Sequence, residues 1–149
     1  MNPIESENSI NTSVFDVARY ILHVKGQMST MKLQKLCYYA QAWSLVWDDR
    51  PLFNEEFRAW ENGPVCRELF NETRGMFQVT EMDEPKGCIE NLSDSQKETI
   101  DIVLRDYGDK DAQWLSRLTH LEEPWKQARK NGVDALITKE SMAMYYGSL

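Results

Sequence analysis

From Met31 to Trp47, apolar residues recur every three or four positions, with polar ones threaded between them. Leu33, Leu36, Cys37, Ala40 and Trp47 share one stripe, and Tyr39, Trp43 and Val46 share the next. The pattern predicts a helix capped by Ser29 or Thr30, with an apolar arc wide enough to pack on two sides. Upstream, Val14, Phe15, Ala18, Ile21 and Leu22 keep the same period between a capping Thr12 or Ser13 and a terminating Gly26. The two helices should form an αα-hairpin. Residues 1–11 are polar and without period, which predicts a tail before one domain over 12–149.

After Trp47, Asp48-Asp-Arg-Pro51 predicts a turn, and Phe57-Arg-Ala-Trp60 alternates as a short strand ended by Asn62-Gly63. Pro64 is expected in the first turn of a third helix that directs Val65, Leu69 and Phe70 inward and stops near Gly75. Residues 77–91 are expected to be mostly loop, with a short strand or a hairpin around Pro85-Lys-Gly87 as alternatives. Ser93 and Gln96 form a capping box for a helix whose Ile100, Val103, Leu104 and Tyr107 face inward before Gly108. Further helices are expected around Ala112, Trp114, Leu115 and Leu118, from Pro124 towards Gly132, and from Thr138 through Tyr145-Tyr146. The fold class is therefore mainly α (α+β): six or seven helices, with a small β element between the second and fourth.

Five tryptophans and 42% hydrophobic residues in 149 make the composition globular. A net charge of −7 repels phosphate backbones, so nucleic acid is an unlikely partner and a DNA-binding autorepressor is disfavoured. Basic proteins are easier partners. Cys37, Cys66 and Cys88 are odd in number and far apart, as expected of reduced thiols in the cytoplasm. No apolar run approaches the ~18 residues of a membrane span.

Thr119-His-Leu-Glu-Glu-Pro-Trp125 is the one segment that gathers an imidazole, carboxylates and an indole. A metal site fails on geometry, because His120 and Glu122 would point about 200° apart on a helix and no third ligand is patterned nearby. No metal or cofactor is expected. Pro124 reads as the first helical residue, which makes Thr119 to Glu123 a tight connection and gives His120 and Glu122 structural roles. A small hydrolase using His120 is the weakest reading, and no catalytic residue is assigned. Cys37, on an apolar face, is expected in the core.

Consecutive tyrosines should not both face one core, so one of Tyr38-Tyr39 and one of Tyr145-Tyr146 is expected at the surface. On the short strand, Phe57 should enter the core while Trp60 packs at the margin. There Trp60 would brace Gly63 and Pro64 against the second helix near Tyr38, Gln41 and Trp43. With Arg58, this corner is the expected partner-binding surface.

Several separated motifs occur in order: Lys32-Leu-Gln-Lys-Leu36, Tyr38-Tyr-Ala-Gln-Ala-Trp43, Pro51-Leu-Phe53, Ala59-Trp60, Gly63-Pro-Val65 and Thr119-His-x-Glu-x-Pro-Trp125. Through them the chain resembles the Panacea domain of SocA-like antitoxins, and Glu140, Met142 and Tyr145-Tyr146 fit as well. Within that resemblance Leu33, Leu36, Tyr39, Ala40, His120, Glu122, Pro124 and Trp125 are structural motif positions. The resemblance implies an antitoxin of a type II toxin-antitoxin system, from a family often carried on prophages and other mobile elements, that neutralises a cognate toxin by direct contact. It also implies an alternative, an adaptor that delivers the toxin to a cytosolic AAA+ protease.

Overall fold

The computed structural model describes residues 11–149, and all but the last position of the expected tail lies outside them. Seven α-helices occur among the described residues: α1 (Val14–Lys25), α2 (Thr30–Trp47), α3 (Arg67–Glu72), α4 (Asp94–Tyr107), α5 (Ala112–Leu121), α6 (Glu123–Arg129) and α7 (Lys139–Gly147). The expected caps form. The Ser13 hydroxyl accepts from Asp16 N–H while the Asp16 carboxylate accepts from Ser13 N–H, and Ser93 and Gln96 make the same reciprocal pair at α4.

Helix α2 is the axis around which the others pack, with α1, α4, α5, α7 and the sheet all in contact with it. Every residue from Leu33 to Ala42 is buried. A helix covered all round has no polar face, and this corrects the expectation about paired tyrosines: Tyr38 and Tyr39 are both interior. The second pair meets the expectation only in part, with Tyr146 buried and Tyr145 half-buried against the core.

The β element contains more than one strand. β2 (Phe57–Trp60) pairs antiparallel with β3 (Gly63–Cys66) on one side and with β5 (Leu136–Ile137), from beyond α6, on the other. β1 (Met28–Ser29) pairs with β4 (Gln78–Val79), so the expected loop over 77–91 holds a short strand and two 3-10 turns. Phe57 and Ala59 face the core, and Arg58 and Trp60 are half-buried.

Pro64 and Val65 lie in β3, and the third helix begins only at Arg67, which corrects the expected helical start at Pro64. Strand β3 is an edge, and its outer side is met by a side chain. The Gln34 amide donates to the Cys66 carbonyl at 3.1 Å and accepts from Cys66 N–H at 2.9 Å. Antiparallel ladders alternate, so Pro64, two residues earlier, also points its missing N–H away from β2, where nothing is lost. One heptad on, Gln41 repeats the device, donating to the Phe53 carbonyl at 2.9 Å and accepting from Leu52 N–H at 2.7 Å. Two buried glutamines thus give α2 the hydrogen bonds of a strand.

Glu84, only 1% exposed, follows the 3-10 turn Glu81–Asp83 and meets Glu72 at the end of α3, and no described donor reaches either carboxyl. Burial, then Glu72, pushes the Glu84 carboxyl up to about 9, against weaker opposition from Lys86 and Arg19. A shared proton satisfies such a pair. A folded-state pKa above the unfolded one contributes stability that is complete below the ordinary glutamate value and is lost as pH rises towards 9. Glu84→Gln should therefore match wild type near pH 4 and exceed it by about 1 kcal/mol at pH 8, because the amide is neutral throughout. Melting temperature followed against pH checks this. A variant less stable than wild type at pH 8 would mean that the ionised carboxylate has a partner.

Candidate functional site

The turn between β2 and β3 is held from outside by side chains of α5 and α6. The carbonyls of Ala59, Trp60 and Asn62 accept from Arg129 Nη1 at 3.1 Å, Trp125 Nε1 at 2.9 Å and Ser116 Oγ at 2.6 Å. Trp60 Nε1 in turn donates to Asp134 at 2.6 Å, and its ring meets Phe70 edge-on at 5.0 Å. Glu61 and Asn62 have ordinary negative φ, and the chain reverses at Gly63 with φ +116°. A Cβ at Gly63 would lie 2.7 Å from Lys35 Cε and 2.8 Å from Thr119 Oγ1. Glycine is needed there both for conformation and for room.

His120 stacks on Trp125 with ring centres 4.1 Å apart. Burial holds its pKa below the ordinary value, against a hydrogen bond to the Glu61 backbone, and so favours the neutral ring. Its Nε2 is buried and has no partner among the described residues. Thr119 and His120 belong to the last turn of α5, which runs to Leu121 and so corrects the tight connection expected over Thr119 to Glu123. The link to α6 is Glu122 alone, which ends one helix and caps the next, with Pro124 in the first turn of α6 as expected.

Beside the turn lies a pocket of about 350 Å³ whose walls include Met31, Lys35, Trp60, Asn62, Val65 and Phe70. Lys35 is 1% exposed, yet none of the described residues forms an ion pair with it or accepts a hydrogen bond from it. Burial pushes its ammonium down to about 8. The exposed Glu61 carboxylate sits on the same rim. Thr30, also on the wall, receives the chain that follows α3, donating to the carbonyls of Met76 and Phe77. Phe77 is 78% exposed.

A second polar cluster lies one turn further along α2. Glu122 Oε1 accepts from the Tyr39 and Tyr146 hydroxyls, each at 2.7 Å, and the Tyr38 and Tyr146 hydroxyl oxygens are 3.1 Å apart. Tyr39 stacks on Tyr107 at 4.2 Å, and Trp43 Nε1 donates to the Tyr107 hydroxyl at 3.0 Å. Burial raises the Glu122 carboxyl above its ordinary pKa, and the two tyrosine hydrogen bonds partly offset this. Leu33, Leu36 and Ala40 are core around it.

The expected partner surface is therefore not one patch. Tyr38 and Gln41 are each 1% exposed and serve as scaffold, Gly63 and Pro64 are buried, and Trp43 packs with Trp47 and Tyr146 away from the turn. Trp60 and Arg58 remain at the margin, but Trp60 faces Met31 and Lys35 near the start of α2, where Tyr38 and Gln41 are out of reach. Cys37 is fully buried with its thiol pKa raised, and Cys66 is pushed up to about 12, so neither offers a thiolate. Among the described residues no cluster of His, Cys, Asp or Glu could hold a metal, and no helix is long and apolar enough to cross a membrane.

The motifs thus meet in space: Lys35 from the first, Trp60 and Gly63 from the middle ones, and Thr119, His120 and Trp125 from the last surround a single turn. No curated protein and no solved structure matches the chain significantly. A family model described as antitoxin SocA-like, Panacea domain, matches residues 33–126, which include Lys35, Trp60, Gly63, Thr119, His120 and Trp125. With more than half of its length matched, the chain belongs to the SocA-like antitoxin family through its Panacea domain.

Proposed function

We propose that this protein is the antitoxin of a type II toxin-antitoxin pair and neutralises a cognate toxin in the cytoplasm by binding it directly. Family membership supplies the antitoxin role. The observation that carries direct binding is the braced corner: a turn pinned at three carbonyls, with Trp60 and Arg58 at its margin and an open pocket beside it. A surface held this rigidly loses little entropy on binding. The net charge of −7 steers a basic toxin towards it. No step of this role requires chemistry from the chain, and we assign it a non-enzymatic one.

Co-expression with the adjacent gene tests the proposal. The neighbouring product alone should arrest growth, this chain should restore it, and the two should co-purify. A neighbour that is harmless, or toxic and not rescued, would remove the basis of the reading. Toxin level separates blocking from delivery. Rescue with the toxin intact indicates a blocked toxin, whereas toxin loss that stops in cells lacking cytosolic AAA+ proteases indicates an adaptor.

A further inference from the structure

We infer that the pocket beside the β2–β3 turn is the seat of a single carboxylate, presented by an apolar segment of the partner protein and received by the Lys35 ammonium. This deepens the partner-binding reading and rests on it for the identity of the occupant. The pocket's chemistry stands apart from that reading.

A lysine only 1% exposed normally has an anion or several acceptors around it, because a bare ammonium in a protein interior is costly. Here the described residues supply none, although Gln34, one residue away, is fully paired. The side chain is also fixed. Gly63 leaves room for its Cε, and a Cβ at that position would stand 3.5 Å from Nζ. The ammonium is therefore placed at the inner wall of a cavity and not folded against a partner of its own. Thr30 and Met31 bring the first turn of the 18-residue helix α2 to the same wall, so the positive end of its dipole adds to the field.

The remaining walls select the rest of the ligand. Met31, Trp60, Val65 and Phe70 are apolar. The wall carries one cation and no arginine, with the exposed Glu61 carboxylate at the rim, and this suits a monoanion better than a phosphate, which draws several donors. About 350 Å³ accepts one or two side chains. An apolar wall around a single ammonium, open to solvent beside the proposed recognition corner, favours an acidic residue flanked by apolar ones on a partner chain over a free metabolite. With an overall charge of −7, the protein repels broadly acidic molecules. The acid must therefore be a local one on a partner whose field is otherwise basic.

Four probes test this without any toxin: the blocked tripeptide Ac-Leu-Glu-Leu-NH2, 3-phenylpropionate, 3-phenylpropan-1-ol and inorganic phosphate. Each is titrated into wild type and Lys35→Met while the amide resonances of Gly63 and Val65 are followed. The peptide should bind wild type saturably, about tenfold more tightly than 3-phenylpropionate, and the alcohol and phosphate should bind more weakly still. Lys35→Met should lose at least tenfold of the peptide affinity and melt at or above the wild-type temperature, since it replaces an unpaired buried charge with an apolar chain of similar length.

Retained peptide binding by Lys35→Met, or a lowered melting temperature, would overturn the assignment of Lys35. Phosphate binding as tight as the peptide, or no saturable binding of any carboxylate to wild type, would overturn the carboxylate site. Equal affinity for peptide and 3-phenylpropionate would overturn the partner segment as occupant. In cells expressing the pair, a stable Lys35→Met chain should fail to neutralise, and full neutralisation would separate the pocket from toxin binding. Absence of any toxin would sink the antitoxin reading while leaving the titrations to stand.

Discussion

Replacing Gly63 with alanine should destabilise the protein by about 3 to 5 kcal/mol. Two costs combine. At φ +116° an L residue is strained whatever surrounds it. The new Cβ would also sit 2.7 Å from Lys35 Cε and 2.8 Å from Thr119 Oγ1. Thr119 is buried and spends its hydroxyl on the Ser116 carbonyl at 2.7 Å, so it cannot move aside cheaply. The two costs are separable by a double-mutant cycle. Lys35→Ala should recover part of the loss by removing the clashing Cε, whereas the conformational part should persist. Denaturant unfolding of the four proteins measures both, and full additivity would show that Lys35 does not touch this site. Gly63→Ala should also impair neutralisation even where enough folded protein remains, because the turn it distorts carries the proposed recognition corner.

Glu122→Ala should cost about 2 to 4 kcal/mol, lowering the melting temperature of a protein of this size by roughly 5 to 15 °C. The carboxylate is the common acceptor of Tyr39 and Tyr146, and it joins the α5–α6 junction to α2 and α7. Removing it leaves two buried hydroxyls without an acceptor and a void beside the stacked Tyr39 and Tyr107 rings. Glu122→Gln keeps an oxygen in place and should cost about 1 kcal/mol or less. Burial raises the Glu122 pKa, so the stability tied to its protonated form is lost as pH rises through the folded value. The glutamine variant should therefore gain on wild type with rising pH. If alanine and glutamine melt alike, the hydroxyl pair has found another acceptor and the cluster is not what joins these helices.

Helix positions were legible locally, because caps, glycine stops and a 3.6-residue period are properties of a few neighbouring residues. Ser13 with Asp16, Ser93 with Gln96, and Pro124 at the start of α6 all act within one turn of chain. Periodicity also marked Phe57 as a core residue of a short strand, and the ordered motifs marked the family. What failed locally was Pro64. It suits the first turn of a helix and the outward position of an edge strand equally well, and the choice was made by Gln34 on α2, which pairs with Cys66 from thirty-two residues away.

The sequence by itself determined where most helices start and stop, that Phe57 belongs in the core, and which family the chain joins. Each follows from short-range geometry or from motif order. Only the tertiary structure decided how α2 is used. Surrounded on every side, it buries both members of a tyrosine pair, turns Gln34 and Gln41 into backbone partners, and carries Lys35 to a pocket wall with no partner among the described residues. Nothing in the spacing of Lys35 distinguishes it from a surface lysine. Its environment comes from Gly63, Trp60 and Phe70, which meet it only after the chain has folded. Burial and pairing depend on what lies opposite a residue, and contacts between distant segments settle that where local periodicity cannot.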